Sequence, residues 1–257
     1  MGEYRHGHNP RYNKMRTILI INPNSTEQMT NGLKPLVDGL QFTDTAHEYF
    51  TAPSGPKSIN NEDDAAESVE HCLPALRKDL ERYHGFLVAC YSQHPLVPLL
   101  KDEASVQKSR KPVTGIFEAS VGTALQVMHP DEKFGIVSTG KVWETILTDA
   151  TTAFLGTGFE ASKRFAGVET TGLNATDLHD APAEEVRKRM KDAVKRLLNK
   201  EKVGAICLGC AGMAGMDEMV REACVEELGL VQGSRVKIVD GVMAGVAWLE
   251  GAIRAGF

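Results

Sequence analysis

Two cysteines stand at equivalent places in the chain, each directly after an apolar run of strand length. Cys90 ends the run Gly85–Cys90, and Cys210 follows a run that begins at Val203 and stops at Gly209. A strand that ends in this way and passes into a helix puts a thiol at the carboxyl edge of a sheet, where open α/β sheets bind small molecules. The two thiols are therefore the first candidates for catalysis.

A pair of thiols that face each other across a cleft suits proton transfer at a carbon acid. One cysteine, as thiolate, removes a proton from one face of the carbon, and the other, as thiol, returns a proton to the opposite face. A helix that begins after each cysteine predicts a lowered thiol pKa. The backbone N–H groups of Ala211 and Gly212 are candidates for stabilising an enolate oxygen. The alternative is that both cysteines are buried structural thiols, since cysteine is commonly buried.

Polar residues mark two further junctions between an apolar run and a helical pattern. The stretch Asn22–Thr26 could bind the polar edge of a ligand, or it could simply cap the helix that follows. Ser138 and Thr139 lie in a near match to a phosphate-binding loop, but Val142 replaces the hydroxyl that would hold Mg²⁺, so we interpret them as ligand hydrogen-bond donors. The predicted substrate-binding residues are Asn24, Ser25, Ser92, Gln93, Thr139, Gly140, Ala211 and Gly212.

Other residues with reactive side chains give weaker signals. Cys207 and Cys210 form a C-x-x-C, but the second such pair that structural zinc needs is missing, so we predict no metal site. His94 lies four residues after Cys90 and leaves a cysteine hydrolase open as an alternative. The chain has five cysteines, an odd number, and no apolar core in its first residues. This is typical of free thiols in a reducing compartment, and we expect a cytoplasmic protein.

Composition limits the class of protein and its partners. Of the 257 residues, 42% are hydrophobic and 25% are charged, which is typical of a globular chain rather than a disordered one. The formal net charge of -5 argues against a nucleic-acid or membrane partner and leaves a small-molecule partner. Residues 1–14 are polar and basic, and we predict that they form a disordered tail.

Strand patterns alternate with helix patterns along the chain, which predicts parallel sheets built of right-handed βαβ units. Pro112 begins what we interpret as a second lobe. If the two halves are related by a pseudo-twofold axis, Cys90 and Cys210 face each other across the cleft between the lobes. The predicted strands are Arg16–Ile21, Ala46–Thr51, Gly85–Cys90, Val113–Phe117, Phe134–Thr139, one within Ser162–Thr170, Val203–Gly209 and Arg235–Asp240.

With these residues in place, the chain resembles the aspartate/glutamate racemase superfamily and, within it, the hydantoin/allantoin racemase family. The resemblance covers Arg16 to the C-terminus. The run Tyr91–Pro95 after the first cysteine resembles a fungal branch tied to allantoin and nitrogen use. The motifs that carry the resemblance are Ile21-Asn-Pro-Asn-Ser-Thr-Glu-Gln-Met-Thr30, Ala89-Cys-Tyr-Ser92, Gly115-Ile-Phe-Glu-Ala119, Leu208-Gly-Cys-Ala-Gly-Met213 and Val239-Asp-Gly-Val242.

The resemblance implies a fold and a catalytic pair. It implies an α/β protein with two pseudo-symmetric flavodoxin-like lobes, parallel sheets and an active site in the cleft between them. The last strand and helix return to the first lobe, so residues 15–111 plus 236–257 form one lobe and residues 112–235 form the other. It also implies that Cys90 and Cys210 are acid and base, that no cofactor is needed, and that the protein is a homo-oligomer.

The sequence therefore predicts a cofactor-independent racemase of allantoin or a related 5-substituted hydantoin. The ring has an acidic C–H beside a carbonyl, and its amides offer hydrogen-bonding groups to Asn24, Ser92 and Thr139. Three alternatives stay open: a cysteine-dependent amidohydrolase, a cis-trans isomerase of the same superfamily, and a non-catalytic module that binds a small ligand. A decarboxylase is disfavoured, because relatives with that activity keep only the later cysteine.

Overall fold

The computed structural model describes residues 15–156 and 163–257. The tail predicted over residues 1–14 lies outside the described residues. Within these two ranges, no helix combines the length and the apolar character needed to cross a membrane.

Strands and helices alternate through the described residues. The strands are β1 (Arg16–Asn22), β2 (Thr45–Thr51), β3 (Gly85–Val88), β4 (Val113–Gly115), β5 (Lys133–Ser138), β6 (Phe165–Thr170), β7 (Val203–Leu208) and β8 (Lys237–Asp240). The helices are α1 (Glu27–Gly39), α2 (Glu62–Leu76), α3 (Leu96–Asp102), α4 (Ala104–Lys108), α5 (Ile116–Val127), α6 (Val142–Leu155), α7 (Asp177–Asp180), α8 (Ala183–Leu198), α9 (Asp217–Gly233) and α10 (Gly241–Ala255).

The strands form two parallel sheets of the same topology. The first sheet has the order β2-β1-β3-β4 and the second has the order β6-β5-β7-β8. The central strands β1 and β7 contain apolar runs, and β1 is buried from Ile18 onward and β7 throughout, as expected when helices cover both faces of a parallel sheet. This arrangement confirms the predicted α/β class with two similar lobes.

The pairing of two short strands differs from the predicted division of the chain. β4 pairs with β3, with Val88 opposite Gly115, although the predicted boundary at Pro112 assigns it to the second lobe. β8 pairs with β7, with Leu208 opposite Asp240, although residues 236–257 are assigned to the first lobe. β4 has 3 residues and β8 has 4, too few for a pattern that selects one sheet over the other.

The last helix, α10, does return to the first lobe and packs against β3. Gly85 permits this close approach, because a Cβ at that position would lie 3.0 Å from Ile253 Cδ1 and 3.3 Å from Leu249 Cδ2. Leu249 and Ile253 are on the buried side of α10, where they cover β3, the strand that leads to Cys90.

The two chain crossings between the lobes lie side by side. One crossing is α5, which connects β4 of the first sheet to β5 of the second. The other crossing is the junction between β8 and α10, which has no loop because β8 ends at Asp240 and α10 begins at Gly241. The carboxylate of Asp240 caps α10 by accepting hydrogen bonds from the N–H groups of Val242 (2.8 Å) and Met243 (3.0 Å). A Cβ on Gly241 would lie 2.7 Å from the carbonyl oxygen of Ile116, the first residue of α5.

Candidate active site

Cys90 and Cys210 line one cavity between the two lobes. Cys90 lies two residues beyond the end of β3, and Cys210 lies two residues beyond the end of β7, so each thiol is at the carboxyl edge of its own sheet. Both side chains line the same cavity, which we call the thiol cavity. Its volume is about 30 Å³, enough for a water-sized group but smaller than a five-membered ring. A ring therefore needs the walls of the thiol cavity to move apart.

Burial raises the pKa of the Cys90 thiol to about 12. The neighbouring charges of Cys210 and Glu118 act in the same direction. A contact with the Ser92 hydroxyl, whose oxygen lies 3.7 Å from the Cys90 sulfur, opposes them by stabilising the thiolate. Burial and the neighbouring charges outweigh the Ser92 contact, so the protonated form of Cys90 is favoured.

Cys210 has a similar burial but a better partner for its thiolate. The N–H of Gly212 donates to the Cys210 sulfur at 3.3 Å. Burial raises the pKa of Cys210 to about 11, and the N–H groups of Gly212 and Met213 limit the rise. Of the two thiols, Cys210 is therefore the one that loses its proton first.

Two expectations about the thiols are wrong. The helix termini do not lower either thiol pKa below its ordinary value, because the loss of hydration on burial outweighs the nearby N–H groups. The N–H of Gly212 does not point to a ligand oxygen, because it donates to the sulfur of Cys210. The sequence predicts that this N–H stabilises an enolate, but in the structure it is placed to stabilise the thiolate of Cys210.

The predicted substrate-binding residues fall into three groups. Asn24, Thr139 and Ala211 line the thiol cavity with the two cysteines. Ser92 and Gln93 line a neighbouring groove between the lobes, which we call the outer groove and which has a volume of about 540 Å³. Ser25, Gly140 and Gly212 line neither space.

The side-chain amide of Asn24, a residue that lines the thiol cavity, is fixed through its oxygen. Its Oδ1 accepts hydrogen bonds from the N–H of Thr26 (2.9 Å) and from Nδ2 of Asn22 (3.0 Å). Its Nδ2 contacts only the sulfur of Met29, at 3.4 Å, among the bonds that the described residues form. Because a thioether is a weak acceptor, this amide keeps most of its donor capacity for a ligand.

The hydroxyl of Ser25 has a different partner from the one predicted. It donates to the carbonyl oxygens of Gly55 (3.0 Å) and Pro56 (3.2 Å) and so ties the loop before α2 to the end of β1. This loop supplies Ser58 and Ile59 to the thiol cavity. Ser25 therefore shapes the wall of the cavity from behind.

Several residues of the thiol cavity escape sequence analysis. Met29, Ile59, Tyr91 and Trp143 line it, but apolar and aromatic side chains of this kind look like core residues in a sequence. The Tyr91 hydroxyl is 2.7 Å from the Ser120 hydroxyl in the buried interior. A signal exists only for Tyr91, which directly follows Cys90.

Cys207 does not join Cys210 in a redox pair. Its side chain is fully buried, and its sulfur lies 3.7 Å from the carbonyl oxygen of Ser120 on α5, whereas Cys210 lines the thiol cavity. All five cysteines are free. Within residues 15–156 and 163–257, no group of His, Cys, Asp and Glu side chains could hold a metal ion.

Glu118 lies at the same sheet edge as Cys90. It is in the first turn of α5, directly after β4, which is the strand next to β3. Its Oε2 is buried without a hydrogen-bond partner, and burial raises the pKa of this carboxyl. A charge on Glu118 would oppose a thiolate on Cys90.

His94 is placed to support the structure rather than to activate Cys90. Its Nδ1 accepts a hydrogen bond from the N–H of Leu96 (3.2 Å), so its Nε2 carries the proton and donates to the Ser68 hydroxyl (3.1 Å). The side chain is fully buried, and burial lowers its pKa to about 4. With both ring nitrogens engaged, His94 is not the general base that a cysteine hydrolase requires.

We expect the stability of the protein to fall as the pH is lowered, because His94 must stay neutral in the folded state. The unfolded chain binds this proton near the ordinary value of 6.5 and the folded chain only near pH 4. The free energy of unfolding therefore decreases from about pH 7 to pH 4, by on the order of 3 kcal/mol for this group. Urea unfolding of the wild type and of His94→Gln between pH 4 and pH 7 measures this contribution. If the free energy of unfolding changed equally with pH in the two proteins, His94 would not be its source.

Comparison with known proteins extends over nearly the whole described chain. A sequence model of the family described as Asp/Glu/Hydantoin racemase matches residues 18–249. The uncharacterized protein C1F7.10 of Schizosaccharomyces pombe is 36% identical over 241 residues, which is 93% of each chain. A hydantoin racemase of Pseudomonas sp. strain NS671 is 28% identical over 240 residues, 93% of this chain and 86% of the relative.

A solved structure gives the same result for the fold. The allantoin racemase from Klebsiella pneumoniae is similar with a TM-score of 0.76 at 26% identity. The match covers 94% of this chain and 89% of the other. Both lobes of the chain are therefore included in the likeness.

Proposed function

The chain belongs to the Asp/Glu/hydantoin racemase family, and on that premise we propose that it racemises allantoin or a related 5-substituted hydantoin with Cys90 and Cys210 as the proton carriers. As a member of this family it is an isomerase that acts on a small molecule. The observation that carries the proposal is that both thiols line one cavity, each from a different lobe.

The reaction needs one thiolate and one thiol. The thiolate removes the proton from C5 of the ring, and the electron pair of the C–H bond passes into the adjacent carbonyl as an enolate. The enolate then takes the thiol proton at its opposite face, which inverts the centre and leaves the second cysteine as thiolate. No atom is gained or lost by the ring, and the two cysteines have exchanged roles.

The difference between the two thiols supports an order of events. Because the N–H of Gly212 donates to its sulfur, Cys210 holds a thiolate more readily than Cys90 when one of the two thiols has lost its proton. The enantiomer whose C5–H bond points to Cys210 reacts directly from this form. The opposite enantiomer requires the proton to move from Cys90 to Cys210 first.

The other walls of the thiol cavity suit the amide groups of the ring. The Nδ2 of Asn24 can donate to a ring carbonyl, and Thr139 offers a hydroxyl at the end of β5. Both side chains are buried, so their hydrogen bonds to a ligand form away from competing water. This arrangement favours a neutral ring with several amide groups.

Incubation of each enantiomer of allantoin and of simple 5-substituted hydantoins in D₂O tests the proposal. We expect loss of optical rotation from either enantiomer, with one deuterium incorporated at C5 and no other change of mass. An amidohydrolase would instead open the ring and add the mass of water, and a binding module would incorporate no deuterium. The cytoplasmic location and the homo-oligomer stay predictions.

A further inference from the structure

The outer groove is adjacent to the thiol cavity, and three chain segments form walls of both. Ile59 lines the thiol cavity, and Asn61 lines the outer groove two residues later. Likewise, Cys90 lines the thiol cavity, and Ser92 lines the outer groove. Trp143, at the start of α6, lines both spaces and is only 5% exposed. Trp143 therefore lies at the boundary between the two spaces.

The geometry of a two-thiol racemase fixes where a ring substituent can go. A sulfur atom lies on each face of C5 in such an enzyme, so the substituent must leave sideways, across the line that joins the two sulfur atoms. Ser92 connects the two spaces, because its hydroxyl is 3.7 Å from the Cys90 sulfur and the residue lines the outer groove. The outer groove, with a volume of about 540 Å³, is the adjoining space that has room for a substituent.

The lining of the outer groove has a definite chemical character. Ser92, Gln93 and Asn61 give it neutral hydrogen-bonding groups on the side of the first lobe. Trp143, Ile146 and Ala150 give it an apolar wall on the side of the second lobe. Glu62 and Asp149 are the charged residues among the described residues that line it, and both are acidic. An anionic substituent would meet repulsion there, whereas a neutral substituent with amide-like groups would find partners.

We propose that the outer groove is the subsite for the C5 substituent and that it accepts neutral, hydrogen-bonding substituents in preference to carboxylates. This assignment rests on the proposed function, because it takes the ring to lie between the two thiols. The ureido group of allantoin belongs to the accepted class. A carboxyethyl group belongs to the rejected class.

Filling the outer groove tests the location of the substituent. Ala153 lines it from α6 and is exposed enough to accept a larger side chain. In Ala153→Trp we expect the ratio of kcat/KM for allantoin to kcat/KM for 5-methylhydantoin to fall about tenfold. Thr152→Trp, one position earlier on the same helix and outside the groove, is the control and should leave the ratio unchanged. An unchanged ratio in Ala153→Trp overturns the location.

Reversing a charge tests the chemical preference and does not depend on the first variant. In Asp149→Lys we expect kcat/KM for 5-(2-carboxyethyl)hydantoin, relative to allantoin, to rise about tenfold, and to rise less as salt is added. Asp44→Lys makes the same charge change before β2, at the opposite edge of the first sheet, and is the control. An equal rise in both variants overturns the preference.

The two tests distinguish this inference from the proposed function. Wild-type protein that neither racemises nor deuterates any of the three rings overturns the proposed function, and the outer groove assignment with it. Active wild type with unchanged ratios in Ala153→Trp and Asp149→Lys overturns the outer groove assignment alone.

Discussion

Replacement of either cavity cysteine by serine is expected to lower kcat for racemisation by about a thousandfold or more, with the fold intact. A serine hydroxyl is nearly the same size as the thiol but is far too weak an acid to exist as an alkoxide in the same site. Each variant therefore keeps one functional proton carrier. Polarimetry with each enantiomer measures the loss, and circular dichroism checks the fold.

The single variants also separate the two halves of the reaction. A variant that keeps one thiol can still exchange the C5 proton of one enantiomer with D₂O, without inverting it. Cys90→Ser and Cys210→Ser should therefore label opposite enantiomers. Cys224→Ala, on the buried face of α9 in the core of the second lobe, is the control and should keep kcat. A Cys90→Ser or Cys210→Ser protein that racemises both enantiomers at near the wild-type rate would contradict the two-thiol mechanism.

Gly209→Ala is expected to lower kcat about a hundredfold, because it moves Cys210. A Cβ at this position would lie 2.8 Å from the carbonyl oxygen of Val137 and 2.9 Å from Cβ of Ser138. Both atoms belong to β5, a central strand that cannot retreat. The backbone before Cys210 must shift instead, and the free energy of unfolding should fall by about 1–3 kcal/mol.

Gly140→Ala is the matched control for this effect. Gly140 also follows a strand of the second sheet, but a Cβ there meets no atom within 4 Å. We expect kcat and the unfolding midpoint of Gly140→Ala to stay near the wild-type values. Steady-state kinetics and urea unfolding of the two variants give the comparison. Wild-type kcat in Gly209→Ala would show that the site tolerates a shift at Cys210.

The position of the thiols could be predicted because a strand end is a local property of the sequence. An apolar run that stops at a cysteine before a helix fixes the edge of the sheet on which that cysteine lies. The equivalent placement of Cys90 and Cys210 therefore leads to one cavity once the sheets are known to repeat. Thr139 follows from the same argument, since it is the residue directly after β5.

The remaining features depend on packing between distant segments, which a local pattern does not record. The short strand β4 joins the first sheet by pairing with β3, and nothing within its 3 residues indicates that choice. Trp143 lines two cavities, but its position at the start of an amphipathic helix is also that of a core residue. The direction in which each thiol pKa shifts depends on burial, which the sequence near Cys90 does not reveal.

The return of α10 to the first lobe has a consequence for synthesis. The face of β3 is completed by Leu249 and Ile253, which leave the ribosome only after strands β1 to β8 have been synthesised. The N-terminal lobe therefore cannot finish folding when its own strands emerge, although domains commonly fold in that order. A nascent chain that stops after β8 leaves this apolar surface uncovered, and a premature stop codon there should yield an aggregating product instead of a weakened enzyme.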